Sequence, residues 1–211
     1  MATVSELCEA IAQAANMPLD EVKKYARALI NSGDLPKAIG RSIPQTDYYH
    51  RAKLILAIAA SERPADCVKA MRERYEAQAR FRETNLTAGE VLAEELRALA
   101  GKSIDAYQKW SYSKLEVSRG GMPRVQFRIN ENMKHFDGFE KTPQPEFLGG
   151  PHLQKNSDFA LWPQWQNRGF PVSAYVSGDV LMAAAFGSKE AAREAEIEVI
   201  KAYHAASEDG E

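Results

Sequence analysis

The stretch Ile11–Leu29, IAQAANMPLDEVKKYARAL, sets two helical runs against each other across Asn16-Met17-Pro18. Ala12 is small enough to let a second helix cross the first. After glycine, asparagine is the residue type that most readily takes a positive φ, so Asn16 lets the chain reverse. Met17 offers an apolar plug for the joint, and Pro18 suits the first turn of the following helix. At ~100° per residue, Val22, Tyr25, Ala26 and Leu29 fall on one arc and face the first run. Lys23, Lys24 and Arg27 occupy the opposite arc.

Ile11, Ala12, Ala15, Asn16, Met17, Val22 and Tyr25 together satisfy the register of a helix-turn-helix, with residues 18–31 as its second helix. That helix enters the DNA major groove in such motifs, its outer face toward bases and phosphates. Arg27 is therefore expected to read a guanine bidentately, and Lys23 and Lys24 to meet phosphates. Asp20 also points outward, either accepting from a cytosine amino group or favouring the helix N-terminus. The plainer alternative is an amphipathic helical hairpin whose cationic face is only solvated, or docks another protein.

Downstream, YARALINSGDLPKAIGRSIPQTDYYHRAKLILAIA (Tyr25–Ala59) resembles the winged helix-turn-helix of MerR-type regulators. The resemblance covers residues 5–60, with a recognition helix about one turn longer and a shorter wing. Gly33, Leu35 and Pro36 stand for the family's turn, residues 37–41 for its basic wing, and Thr46 onward for the next helix. It implies that Arg41, with Lys37 beside it, lies along the phosphate backbone. The same region is similar in texture to prophage DNA-binding proteins.

Composition frames these motifs. The chain has 211 residues, 45% hydrophobic and 27% charged, enough for one large or two small domains. Its net charge of −2 conceals an asymmetry: residues 1–82 carry 13 Lys/Arg against 10 Asp/Glu, residues 83–211 carry 14 against 19. A modest basic face on an acidic protein suits selective rather than indiscriminate polyanion binding. The longest apolar run, Val180–Phe186, is too short to span a bilayer, and MATVSELCEA has no signal-peptide pattern; a cytoplasmic protein is expected. Cys8 and Cys67 read as buried reduced thiols, and His50, His135, His152 and His204 are too scattered for a metal site.

Thr3–Glu6 and Thr87–Glu90 are capping boxes. Helices are expected at 46–60, 64–82 and after Thr87, and a terminal helix at 188–206. Leu115-Val117 and Val125-Phe127-Ile129 alternate around Arg119-Gly120-Gly121 as a β-hairpin, whose Lys114, Arg119, Arg124 and Arg128 either touch DNA as a ribbon or form a polar outer face. Residues 169–186 read as extended structure turning at Ser177-Gly178-Asp179. Phe159, Trp162, Trp165 and Phe170 seal a small core, form an interface or line a ligand site. No catalytic arrangement is present; Asp137, Glu140 and Glu146 near His135 read as solvated loop acids.

The expected class is α+β: a winged helix-turn-helix domain at 1–82, then an α+β oligomerisation or effector domain at 83–211. The expected function is sequence-specific double-stranded DNA binding by a homodimeric transcriptional regulator, with no enzyme activity, metal or cofactor. The alternatives are a DNA-packaging recognition subunit of a phage and a protein-interaction module.

Overall fold

The structure, a computed structural model, describes residues 2–79, 86–102, 114–119, 123–128, 146–148 and 173–208. Helices and antiparallel strands mix within it. The helices are α1 (Val4–Ala14), α2 (Leu19–Asn31), α3 (Tyr48–Ala60), α4 (Cys67–Tyr75), α5 (Ala88–Ala100), α6 (Gly178–Phe186) and α7 (Lys189–Glu208). The strands are β1 (Ala2–Thr3), β2 (Gln45–Thr46), β3 (Gln78–Ala79), β4 (Lys114–Ser118), β5 (Arg124–Arg128), β6 (Glu146–Leu148) and β7 (Ser173–Ser177).

Helix starts follow local chemistry. Thr3 Oγ1 accepts from the Glu6 amide (3.3 Å) while the Glu6 carboxylate accepts from the Thr3 amide (2.7 Å). Thr87 and Glu90 repeat this box at α5, and Asp47 with His50 forms another at α3. Each satisfies two amides that the first helical turn leaves without a partner.

Central α3 packs against α2, α4, α5 and strands β4 and β7. The larger sheet has the order β3-β6-β5-β4-β7, every described pair antiparallel. β1 pairs separately with β2, placing Ala2 opposite Thr46. One buried apolar cluster runs from Leu7 on α1 through Leu54 and Leu56 on α3 and Leu92 on α5 to Leu181 on α6. Its members come from both sides of the expected domain boundary at residue 82.

Three expected boundaries differ. The helix expected at 64–82 begins at Cys67 and ends at Tyr75; Ala77 is buried and Gln78–Ala79 pairs with β6 at the sheet edge. Tertiary pairing there overrides a permissive helical pattern. Thr46 belongs to β2, so the helix expected from 46 begins at Tyr48. The segment expected to be extended over 169–186 is, among its described residues, strand over Ser173–Ser177 and then helix. Val180, Leu181 and Ala183–Ala185 are all buried, because α6 packs against α1, α5 and α7. A helix covered on most sides has no polar stripe to reveal its period. The aromatic segment 159–170 and loop acids Asp137 and Glu140 lie outside the described residues, as does the side chain of Glu146.

Candidate nucleic-acid interface

Both helices of the opening stretch end in the same way. Asn16 takes φ +51°; the Met17 amide donates to the Ala12 carbonyl (2.9 Å) and the Asn16 amide to that of Gln13 (3.4 Å). At the end of α2, Gly33 takes φ +81°, the Asp34 amide donates to Leu29 (2.8 Å) and the Gly33 amide to Ile30 (3.2 Å). These are paired Schellman closures, the first with asparagine where glycine is usual. Ala12 is buried, and Met17 packs on the core edge.

Val22, Tyr25, Ala26 and Leu29 form the buried stripe of α2. Each fully buried side chain of Leu size contributes about 1.5–3 kcal/mol, far more than intrinsic helix propensity, so packing holds this helix in place. Tyr25 adds a directional tie, its hydroxyl donating to the Ser61 carbonyl (2.9 Å) just past α3. Burial and the Glu21 charge push the Tyr25 phenol above its ordinary pKa. Nearby Cys8 is raised to about 11 by burial, and both Cys8 and Cys67 are buried free thiols.

Opposite that stripe, Asp20, Lys23, Lys24 and Arg27 are exposed, as are Lys37 and Arg41 in the following loop. Among the described residues, none of these five cations makes an ion pair. Several other cations serve the fold. Arg51 is buried and donates to the Ala184 and Ala185 carbonyls at the end of α6. Arg74 donates to the Ser118 carbonyl of β4 (2.8 Å), and Arg119 to the Ala59 carbonyl (3.0 Å).

The hairpin expected as a possible DNA ribbon is engaged too. β4 lies between β5 and β7, Arg124 pairs with buried Glu116 (2.7 Å), and Lys114 lies over the Tyr175 ring (4.6 Å). A strand hydrogen-bonded on both edges is sheet interior, not a free two-stranded arm.

The loop after α2 hangs from a charged node that sequence reading missed. Asp34 is nearly buried and accepts from Arg72 Nη2 (2.7 Å), Arg72 Nε (3.1 Å), Ser32 Oγ (2.7 Å) and Lys53 Nζ (3.4 Å). Burial alone would raise the Asp34 pKa, but the hydrogen bonds from Arg72 and Ser32 and the charges of Arg72 and Lys53 outweigh it, and the net shift is downward. The only local hint was an acid inside a Gly/Pro-rich turn; its partners lie 19 and 38 residues away.

Further along, Ile39 and Ser42 exchange both backbone hydrogen bonds (3.3 and 3.1 Å) around Gly40 at φ +61°. Arg41 therefore sits on a two-residue reverse turn whose first position favours glycine. Among the described residues, no group of His, Cys, Asp and Glu is placed to hold a metal ion, and no helix is long and apolar enough to cross a membrane.

Comparison of the chain with family models, curated proteins and solved structures found no match.

Proposed function

We propose that this protein binds double-stranded DNA sequence-specifically, reading the major groove with the outer face of α2. One observation carries the reading: the cations divide by role. Arg51, Lys53, Arg72 and Arg74 are tied to carbonyls or carboxylates, whereas Lys23, Lys24, Arg27, Lys37 and Arg41 stand exposed along α2 and its loop and form no ion pair among the described residues. Exposed cations on an element anchored by its opposite face suit phosphates, which contribute most of the affinity.

In this reading Arg27 reads a guanine edge, Lys23 and Lys24 hold phosphates, and Asp20 borders the contact. Lys37 and Arg41 extend it as a wing. The role is transcriptional regulation in the cytoplasm by a homodimer, since one module spans too few base pairs for genomic selectivity.

Selection of bound duplexes from a random pool, followed by titration of two variants, tests the proposal. Lys24→Ala is expected to weaken binding to every selected duplex and to lower the salt slope by about one. Arg27→Ala is expected to relax preference at one base pair, at a cost of about 1–3 kcal/mol. No binding to any duplex at low salt would sink the reading and favour a protein-docking role. Sedimentation should give a dimer; a large closed ring would instead favour a DNA-packaging subunit.

A further inference from the structure

The larger sheet ends differently at its two sides. β3 is two residues long, and Gln78 is bridged to Thr87 as well as to β6. β7 closes the opposite side with five residues in unbroken register against β4, from Ser173 opposite Ser118 to Ser177 opposite Lys114. Among the described residues, no hydrogen bond joins its outer edge to another segment. Exposed strand edges are normally kept from pairing by a proline, a charge, a bulge or shortness. Ser173–Ser177, SAYVS, has none of these. Tyr175 is 57% exposed, more than any other aromatic side chain among the described residues.

The strand itself selects the occupant. Read in either direction it runs serine, apolar, tyrosine, apolar, serine. An antiparallel copy centred on Tyr175 therefore sets Ser173 opposite the partner's Ser177, Ala174 opposite the partner's Val176, and Tyr175 opposite itself. Ala174 and Val176 share the core-side face with Val117 and Leu115, so two apolar layers would run on into each other. On the other face Lys114 Nζ lies over the Tyr175 ring (4.6 Å), and a second tyrosine would cover ring surface now left in water. β7 carries no charged residue, so no like charges meet across the seam. A strand of another protein would have to bring this alternation; a second copy brings it by symmetry, in a contact that closes on itself. We propose that two copies pair β7 with β7 about a two-fold axis at Tyr175, joining two five-stranded sheets into one. This names the contact behind the homodimer proposed above and rests on that part of the reading, not on the DNA role of α2.

Cysteine pairing in the full chain reads the register. Cys8 and Cys67 are both buried, so a thiol introduced on β7 is the accessible one. Tyr175→Cys is expected to form a disulfide-linked dimer on mild oxidation, because opposed residues of an antiparallel pair lie about 4.5–5.5 Å apart at Cα, within disulfide reach. Ser177→Cys should stay unlinked, since its two copies would lie about 13 Å apart along the seam. Tyr175→Lys sets two cations face to face and is expected to sediment as a monomer where wild type is a dimer, with the helical far-UV signal of wild type. A dimer that Tyr175→Lys leaves intact, or Tyr175→Cys that does not link, overturns the seam; linkage through Ser177→Cys does the same. A monomeric wild type also overturns it, and would favour a strand of another protein at this edge. Duplex binding by the same samples reports on α2 separately.

Discussion

Asp34 is one carboxylate holding α2, α3 and α4 at a common point, and its protonation should be visible in stability. Its folded pKa lies below the unfolded value, so its contribution is present above the unfolded carboxylate range and disappears as pH falls through the folded value. Asp34→Asn is expected to cost about 1–2 kcal/mol near neutrality, toward the lower end for a charged hydrogen bond because Arg72 is half exposed. Urea unfolding at about pH 7 and about pH 3 checks this; the difference should shrink in acid. A gap that persists undiminished would assign the loss to packing instead. Asn16 makes a second residue-scale case. A β-branched side chain at φ +51° is strained, so Asn16→Val should cost about 1–2 kcal/mol while Asn16→Gly stays near neutral, as thermal unfolding can report.

Among elements, the contact of α4 with α5 depends on a missing methyl group. A Cβ at Gly89 would lie 2.1–2.3 Å from atoms of the Tyr75 ring, well inside contact distance. Helix propensity favours Gly89→Ala by up to about 1 kcal/mol, but moving a packed ring costs about 1–3 kcal/mol, so net destabilisation is expected. A variant melting above wild type would show that the ring yields freely. Both elements were legible in part: the capping box placed the start of α5, and a helix was expected across the residues that form α4. The end of α4 was not legible, because Gln78–Ala79 leaves the helical path for a strand partner, β6, far along the chain. The opening helical pair was the most readable, since its turn, plug and buried stripe all lie within nineteen consecutive residues, Ile11–Leu29.

At the scale of the molecule, Arg51 ties the helical N-terminal region to α6. Its guanidinium donates to the carbonyls of Ala184 and Ala185, which the last turn of α6 leaves without helical partners. Gly187 closes that helix at φ +76°, and a Cβ there would meet the Ala2 Cβ at 2.2 Å, so the two chain regions touch where the cap forms. Arg51→Met keeps much of the apolar stem but strands buried carbonyls, and a loss of about 3 kcal/mol in chemical unfolding is expected. A single cooperative transition is expected too, given one core across residue 82. Two separate transitions would show that the halves fold independently.

Local chemistry alone determined the starts of α1 and α5, the left-handed turn at Asn16, the inward stripe of α2 and the exposure of Lys23, Lys24 and Arg27. Each follows from side-chain size, φ preference or helical period within a few residues. Tertiary structure alone decided which cations remain available. Arg51, Arg74 and Arg119 look as basic in sequence as Arg27, but their partners are carbonyls 133, 44 and 60 residues away, and only folding brings those oxygens within reach.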